Sequence, residues 1–393
     1  MTGDMPETAA HPPAKDELYR RATALIPVLA ARAERCETLR HCPVDTIDDL
    51  QQNGLLQICR PARFGGYEYG WDVLSEINRI LARGCGSQAW VANVLNDHTQ
   101  LVGAFALEAQ EEVWGRDHHT RIAASVAPSG KLRRQGDGAV LSGRFSFASG
   151  IDHAQWLICG AFLHEDGKPP HYFDCLIPRS AVEIVDDWHV AGLAGTGSKS
   201  FIVKDCVIPA HRFQDHIHSD DGTGPGTLIN RASVFRTPRA SVAALGFAAL
   251  AVGIAEGFVQ LYLDHTRQRA GRGMPSMEFG STQQGLANAN AQIEANAAYM
   301  TAALAFWVRL LDSGGALTAH EKAKARFQAG YIGHQSLHAV QSLFAIAGGH
   351  ALFDTNPMQR HWRDLMAVAT HRGLYIDETA PAYGKSALAL GHL

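Results

Sequence analysis

The chain has 393 residues, of which 46% are hydrophobic and 19% charged, with a formal net charge of -4 and a pI near 6.6. This length is enough for two or three packed units with a substantial core. The weak negative charge gives no reason to expect nucleic acid or an acidic membrane surface as a partner.

The start of the chain and its cysteines favour a cytoplasmic protein. Residues 1–15 are polar, contain three prolines and lack the apolar core of a secretory signal, so we expect a disordered tail there. No apolar run is expected to reach the roughly 20 residues that a membrane helix requires. The seven cysteines are scattered without a CxxC pair, which fits reduced thiols and gives no reason to expect a metal site.

Apolar residues at helical spacing predict an N-terminal helical domain over residues 16–120. On one of its helices, Trp90 and Val94 share a side with Asp97 and His98, so polar groups interrupt an apolar face. A histidine in such a place is more often a satisfied core side chain than a catalytic one. The pattern alone therefore leaves the role of His98 open.

Short apolar runs separated by Gly, Pro and Asp predict a central β domain over residues 121–215, either a barrel or a sandwich. Residues 145–156 are typical of a strand, a tight bend at Ser149-Gly150 and a second strand. A hydroxyl and a glycine at a bend suit a flat polar ligand such as a flavin ring, although an ordinary hairpin corner has the same pattern. The run Gly195 to Ser198 imitates a dinucleotide-binding loop, but it leads into a strand, so that interpretation fails.

The last part of the chain is rich in Ala and Gly and predicts a helical bundle over residues 230–393, after a flexible connection at 216–229. Ser241 to Tyr262 is apolar nearly all round, which predicts a helix buried on most sides. Further helices are predicted over 286–311, 321–347 and 360–380.

This order of domains resembles the acyl-CoA dehydrogenase fold from about Asp16 to Tyr383. The local matches are Pro61 to Gly66 in the N-terminal part and Ser198 to Pro209 at the end of the β domain. In addition, Ala347-Gly348-Gly349 stands where that family has its glycine-rich flavin contact. The resemblance implies an α+β protein with an N-terminal helical domain, a central β-barrel or sandwich domain and a C-terminal four-helix bundle.

The residues expected of a dehydrogenase are missing from the C-terminal region. Acyl-CoA dehydrogenases abstract a proton with a glutamate, but residues 361–372 contain none, and Glu378 comes later than the pattern puts it. Without a carboxylate near the substrate α-carbon, dehydrogenation cannot run. A dehydrogenase is therefore disfavoured.

The chain is similar instead to the oxygenase components of two-component monooxygenases that use reduced flavin, such as p-hydroxyphenylacetate 3-hydroxylase and the steroid-degradation phenol hydroxylase. The similarity lies in Trp90 with His98, in residues 147–156, and in Trp362-Arg363-Asp364 followed by His371. It implies that reduced FMN or FAD, delivered by an NAD(P)H-dependent flavin reductase, reacts with O₂ to form a C4a-hydroperoxide. That adduct would hydroxylate a phenolic or other electron-rich aromatic substrate.

The resemblance also implies roles for single residues. Ser149 would lie near flavin N5 and His371 near C4a, and His98 would accept from the phenol hydroxyl. Trp90 would form a flat wall of the substrate pocket, and Ser125 would touch flavin or substrate. The further candidates for flavin binding are Gly150, Trp156, Arg236, Arg267, Gly348 and Gly349, with Arg239 and Arg269 as alternative phosphate ligands.

The expected assembly is a cytoplasmic homotetramer with flavin shared across a subunit interface. Two alternatives stay open: an acyl-CoA dehydrogenase-like enzyme with a displaced base, and a non-catalytic flavin-binding protein of the same fold. His334 and His338 have the spacing of a zinc pair, but no third ligand accompanies them. The sequence identifies neither the substrate nor a preference between FMN and FAD.

Overall fold

The computed structural model describes residues 12–165, 167–271 and 274–391, so most of the predicted N-terminal tail lies outside the described residues. The helices are α1 (Lys15–Leu39), α2 (Val44–Gln52), α3 (Trp71–Ala82), α4 (Gly86–Gly103), α5 (Leu107–Trp114), α6 (Ile217–Asp221), α7 (Ala244–Arg267), α8 (Gly280–Asp312), α9 (Ala319–Ile346), α10 (Pro357–Ala369) and α11 (Ile376–Leu390). The strands are β1 (Ile122–Gln135), β2 (Gly138–Ala148), β3 (Trp156–Leu163), β4 (His171–Pro178), β5 (Val182–Val185), β6 (Lys199–Ile208), β7 (Phe213–Asp215), β8 (Ala270–Gly271) and β9 (Met274–Pro275).

The central strands form one seven-stranded sheet in the order β5-β6-β2-β1-β3-β4-β7. Strand β1 lies in the middle, antiparallel to β2 and parallel to β3. The register between β1 and β3 shifts between Ser125 and Gly130, which is a bulge of the kind that re-aims side chains near functional sites. Strand β2 ends at Ala148, and the bend predicted at Ser149-Gly150 follows it directly.

Helix α7 forms the core of the C-terminal bundle and continues directly from a π-helical turn, Arg239–Ala243. By length and composition this 29-residue helix could cross a membrane, so the expectation that no apolar run is long enough was wrong for this segment. However, 94% of its most apolar window is buried inside the protein. Helices α3, α8, α9 and α10 cover it, as the all-round apolar pattern predicts for a core helix.

The N-terminal helices are fixed to the bundle through α3 and α7. The carboxylate of Glu256 on α7 bonds Arg79 at 2.6 Å and Arg83 at 2.7 Å. Charge-assisted pairs of this kind are directional, and this one holds the two helices in register. Close backbone contact is possible because α7 has a glycine, Gly253, opposite the Arg79 carbonyl.

The prediction of a single last helix over 360–380 was wrong. The chain instead forms α10 and α11, with a 3-10 turn, Arg372–Leu374, between them, and Pro381 lies inside α11. Thr370 and Gly373 are weak helix formers, which favours a break at this place. At this break His371 adopts an extended backbone and caps the 3-10 turn, and its ring lies against Trp90 of α4 and Phe247 of α7.

The segment 216–229, expected to be a flexible connection, contains α6 and a 3-10 turn, Pro225–Leu228. Its start is anchored on the buried carboxylate of Asp174. His216 Nδ1 lies 3.0 Å from one oxygen of Asp174, and Ser219 Oγ donates to the other at 2.6 Å. His216 is therefore a tied side chain and not a loose surface residue.

Replacing Gly253 by alanine is expected to destabilise the protein, because the added Cβ would lie 2.2 Å from the Arg79 carbonyl oxygen. We expect a loss of about 1–3 kcal/mol in the free energy of unfolding, the range of other overpacked sites. The control is Gly384→Ala in α11, where nothing lies within 4 Å of the new Cβ. Urea unfolding of both variants measures the difference, and an equal loss in the two would contradict the close approach.

Candidate active site

Three rings from different parts of the chain meet in one wall. The Trp90 ring on α4 lies 5.2 Å from that of His371 and 4.8 Å from that of Phe247, and the last two rings are 4.2 Å apart. Sequence analysis singled out Trp90 and His371 but missed Phe247, because it lies within the uniformly apolar α7. The three rings, tilted at 36–76° to one another, form a largely apolar wall of the kind that lines a pocket for an aromatic molecule.

The bend after β2 is fixed from two sides. Gly150 has φ of +72°, a left-handed conformation that glycine adopts at no steric cost, and its N–H donates to the Thr196 carbonyl at 2.9 Å. Trp90 Nε1 donates to Ser149 Oγ at 3.0 Å. The predicted bend therefore exists, and α4 and the chain around Thr196 hold it in place.

Phe147, two residues before Ser149, is an unexpected member of this region. Its φ is +63°, a strained value for a residue with a side chain, and its ring is 72% exposed. Such strain is retained where the surroundings fix it, and it accompanies an aromatic ring that is turned outward, 6.0 Å from the Trp188 ring. An exposed ring, a hydroxyl and a side-chain-free glycine together fit a flat heteroaromatic ring such as flavin.

The Gly195 to Ser198 run is not a dinucleotide-binding loop, but it contributes two hydroxyl groups to the site. Ser149 Oγ lies 2.6 Å from Ser198 Oγ, which lies 2.6 Å from Thr196 Oγ1. Thr196 Oγ1 donates to the Leu193 carbonyl at 2.8 Å. These three hydroxyls form one continuous chain that ends on a main-chain carbonyl.

The Trp362-Arg363-Asp364 motif supports the main-chain segment on which this hydroxyl chain ends. Asp364 Oδ1 accepts from the Leu193 N–H at 2.7 Å, and Arg363 donates to the Ala191 carbonyl and pairs with Glu37. Burial raises the pKa of Asp364 to about 6, against the lowering effects of the Leu193 N–H and Arg363. Trp362 stacks on Phe344 at 4.9 Å. Through these contacts the motif is placed to position the main chain at residues 191–193.

His98 is 3% exposed and its Nδ1 lies 2.8 Å from the Ile122 carbonyl oxygen. A carbonyl only accepts, so Nδ1 must carry the hydrogen and Nε2 is the free acceptor. Burial lowers the pKa of His98 to about 4, with a smaller lowering by Arg239 and an opposing effect of Asp97. The ring is therefore neutral near pH 7 and presents an unprotonated nitrogen.

His371 has the opposite arrangement. Its Nδ1 accepts from the Gly373 N–H at 3.2 Å, so the neutral ring carries its hydrogen on Nε2. Burial, with a smaller contribution from the charge of Arg239 and an opposing effect of Asp97, lowers the pKa of His371 to about 4. At the nitrogen left for a ligand, His98 Nε2 can thus accept a hydrogen bond and His371 Nε2 can donate one.

A buried ion pair accounts for the polar interruption predicted on α4. Asp97 is 1% exposed and bonds Arg239 through two contacts, at 2.6 and 3.2 Å. The charge of Arg239 also contributes to the lowered pKa of both His98 and His371. A two-contact pair of this kind is among the stronger ones, and it fixes the start of the π-helical turn against α4.

The other residues predicted to line the site are more scattered. Ser125 is buried beside the bulge of β1 and donates to the Ser146 carbonyl at 2.7 Å, which places it near the bend. Trp156 packs instead with the cluster under α5, and the Arg212 guanidinium lies 5.0 Å from its ring centre. Arg236 donates to the Arg231 and Leu311 carbonyls, so its guanidinium caps the end of α8.

Arg267, Gly348 and Gly349 lie together at the far end of α7. Arg267 ends the helix, and Gly348, with φ of +81°, packs directly against the Arg269 side chain. Arg267 follows Phe247 by 20 residues on one helix, which at 1.5 Å per residue separates them by about 30 Å. Within one chain these residues are therefore remote from Ser149 and His371.

The histidine pair with zinc-like spacing lies on α9. The rings of His334 and His338 contact each other at a tilt, with ring centres 4.7 Å apart. Within residues 12–165, 167–271 and 274–391, no group of three or more His, Cys, Asp or Glu side chains could hold a metal ion.

Comparisons with known proteins agree on one family. The family described as acyl-CoA dehydrogenase, C-terminal domain, matches residues 245–375. The oxygenase subunit HsaA of a flavin-dependent monooxygenase from Rhodococcus jostii is 31% identical over 94% of this chain and 98% of its own. The oxygenase component of an FADH(2)-dependent resorcinol hydroxylase from a Rhizobium species is 32% identical over 95% of this chain and 94% of its own.

Solved structures agree. The crystal structure of 3-HSA hydroxylase from Rhodococcus sp. RHA1 superposes with a TM-score of 0.91 and 30% identity, covering 97% of this chain and 98% of the other. The similarity extends over all three regions of the fold, from the N-terminal helices to α11.

The buried neutral state of His98 is expected to make stability depend on pH. Because its pKa of about 4 lies below the ordinary 6.5, the stability it contributes is complete above pH 6.5 and is lost as the pH falls toward 4. We expect the wild type to lose about 2 kcal/mol more than His98→Asn between about pH 7.5 and about pH 5. Urea unfolding at both pH values measures this, with the exposed His164→Asn as control. Equal losses in wild type and His98→Asn would contradict the assigned state.

Proposed function

Because the chain belongs to the oxygenase subunits of flavin-dependent monooxygenases, we infer that it uses reduced flavin and O₂ to hydroxylate an aromatic substrate. The relatives named above confirm the resemblance predicted from the sequence. The protein is an enzyme, the oxygenase component of a two-component system, and its reductase partner is a separate protein.

One observation supports the residue roles most directly: the two neutral imidazoles have opposite hydrogen-bonding states. We propose that His98 Nε2 accepts from the substrate hydroxyl, which increases electron density on the aromatic ring. His371 Nε2 then donates toward the oxygen that is transferred. Both roles need rings that stay neutral at working pH, which their burial favours.

The ring wall would hold the substrate between these two groups. Trp90, Phe247 and His371 offer an apolar surface, and α4 rises about 12 Å from Trp90 to His98, which is long enough for one substituted ring. Apolar walls exclude water from the reacting oxygen, and water access favours loss of that oxygen as H₂O₂. Ser125, near the bend, is the further proposed contact.

Flavin is proposed to lie against the bend at Ser149 and Gly150, with the exposed Phe147 beside it. When bound in reduced form, flavin supplies the two electrons that activate O₂. The Ser149 hydroxyl is proposed to meet the ring edge that carries N5. We propose that the reductase which provides this flavin is NAD(P)H-dependent, and that FMN or FAD can serve.

A dehydrogenase would need a carboxylate base beside its substrate, and the two buried carboxylates of this region are engaged elsewhere. Asp97 is bound by Arg239, and Asp364 accepts from the Leu193 N–H. Proton abstraction by Asp97 would break its buried ion pair with Arg239, which would cost several kcal/mol. Protonation of Asp364 would weaken its hydrogen bond from the Leu193 N–H. This favours the monooxygenase over a dehydrogenase with a displaced base.

We further propose a homotetramer in which each flavin contacts two copies of the chain. Arg267 and the Gly348-Gly349 turn lie about 30 Å along α7 from Phe247, which is too far to reach a flavin held at Ser149 of the same chain. If they bind a flavin phosphate, it must belong to a neighbouring copy. Large apolar side chains stand exposed on the bundle, as subunit contacts require: Tyr299, Phe306, Tyr331, Leu352 and Phe353.

A cytoplasmic location is proposed from the thiols. All seven cysteines are free in the structure and six of them are buried. Such thiols persist in a reducing compartment.

The proposed function is tested by admitting O₂ to the protein with reduced FMN or FADH₂, in the absence and presence of simple phenols. We expect slow return of oxidised flavin without substrate, faster return with a phenol, and one hydroxylated product per flavin oxidised. Flavin absorbance and product chromatography measure this. Immediate reoxidation that no aromatic alters would support the non-catalytic alternative, and reduction of bound oxidised flavin by an acyl thioester would support the dehydrogenase.

In the same assay, Ser149→Ala is expected to raise the fraction of O₂ released as H₂O₂ by about tenfold, since one hydrogen bond to flavin is worth about 1.4 kcal/mol. Ser313→Ala is the matched control, because Ser313 is an exposed serine that bonds only the Leu310 carbonyl. An unchanged H₂O₂ fraction in Ser149→Ala would contradict the proposed flavin contact.

For the shared flavin site, Arg267→Ala is expected to weaken reduced-flavin binding about tenfold, as loss of one charged phosphate contact does. Native mass spectrometry should give a tetramer for wild type and variant alike. The exposed Arg20→Ala, whose side chain pairs only with Glu17 on α1, serves as control. A monomeric wild type would contradict the sharing, whatever the variant does.

A further inference from the structure

The hydroxyl chain behind the bend has a direction that can be deduced from its end. Each hydroxyl has one hydrogen to donate and two lone pairs that accept. Thr196 Oγ1 gives its only hydrogen to the Leu193 carbonyl, because a carbonyl cannot donate. In its 2.6 Å contact with Ser198, Thr196 must therefore accept.

The direction of the hydrogen bonds at Ser198 and Ser149 follows from that at Thr196. Ser198 spends its hydrogen on Thr196, so in its 2.6 Å contact with Ser149 it accepts, and Ser149 donates. One lone pair of Ser149 is occupied by the Trp90 Nε1–H at 3.0 Å. What is left to a ligand is a single lone pair, so Ser149 can accept one more hydrogen bond and can donate none.

The Thr196 end of the hydroxyl chain is held too firmly for the direction of its hydrogen bonds to reverse. Leu193 sits in a left-handed conformation, with φ of +54°, and its N–H is bound by Asp364 at 2.7 Å. Its carbonyl accepts from the Thr196 hydroxyl at 2.8 Å, the Thr196 N–H at 3.1 Å and the Trp188 Nε1–H at 3.2 Å. Reversal would need another acceptor for the Thr196 hydrogen or leave it unbonded in a buried site, which costs about 1–3 kcal/mol.

We propose that Ser198 and Thr196 are positioning residues that keep Ser149 a pure acceptor and so make the site select reduced over oxidised flavin. Reduced flavin carries a hydrogen on N5 and can donate to Ser149. Oxidised flavin has a lone pair at N5, which would face the lone pair of Ser149. The inference rests on the proposed function, because it needs the flavin ring to lie at the bend.

Such selection suits an enzyme whose flavin comes from another protein. The reduced form must be captured from solution, and the oxidised form must leave before the next one enters. A fixed acceptor does both, since the ligand loses its hydrogen bond when N5 loses its hydrogen. No conformational change is needed for release.

The test is the ratio of the dissociation constants of oxidised and reduced flavin in Ser198→Ala. This variant removes the acceptor for the Ser149 hydrogen, so Ser149 can turn and donate to N5 of oxidised flavin. We expect the ratio to fall about tenfold, which is about 30 mV downward in the midpoint potential of bound flavin. Fluorescence titration gives the oxidised constant, and anaerobic titration gives the reduced one.

Two further variants separate positioning from mere structure. Ser198→Thr keeps the hydroxyl and should restore the wild-type ratio. Ser200→Ala is the matched control, because Ser200 is a buried serine two residues further along, at the start of β6, and its hydroxyl bonds Ser146 at 3.1 Å, outside the hydroxyl chain. If Ser198→Ala does not fold, Thr196→Val removes the fixed end of the chain and should lower the ratio in the same direction.

The outcomes separate this inference from the proposed function. If the wild type binds neither form of flavin, the proposed function fails and the inference fails with it. If the wild type binds reduced flavin more tightly but Ser198→Ala and Thr196→Val keep its ratio, only the inference is overturned. A ratio that falls equally in Ser200→Ala would also overturn the inference, because the effect would then not depend on the hydroxyl chain.

Discussion

The complete burial of α4 is the constraint on which the rest of the site depends. All of its residues from Gly86 to Gly103 are buried, so every polar side chain on it needs a partner inside the protein. Asp97 is bound by Arg239, His98 by the Ile122 carbonyl, and Trp90 by Ser149. Each partner belongs to a different part of the chain, so these three hydrogen bonds connect α4 to the bundle, the sheet and the bend.

The electrostatic character of that space follows from this pairing. The buried cation Arg239 is matched by Asp97, and burial keeps both imidazoles uncharged. What the site offers is therefore oriented neutral hydrogen bonds and apolar ring faces. This combination suits oxygen transfer to an aromatic ring better than proton abstraction by a charged base, which would need solvated or unpaired carboxylates.

The order of domains and the bend at Ser149-Gly150 could be predicted from sequence because both depend on local periodicity and turn residues. The break beside His371 was missed, since Thr370 and Gly373 only weakly oppose a helix that the apolar pattern continues. Phe147 was missed because exposure of an aromatic residue in a strand depends on what packs against it. The role of Thr196 and Ser198 could not be inferred at all, because it requires knowing that Asp364, 171 residues after Leu193, holds the main chain behind them.

That long-range hydrogen bond also bears on the order of events while the chain is being made. Translation proceeds from the N-terminus, and domains tend to fold as they emerge. When the β domain is complete the ribosome has not yet made Asp364, so Leu193 must wait for α10 before its strained conformation is fixed. The nascent β domain therefore has the bend but lacks its rigid backing. Capture of a diffusible cofactor becomes one of the last abilities the molecule acquires.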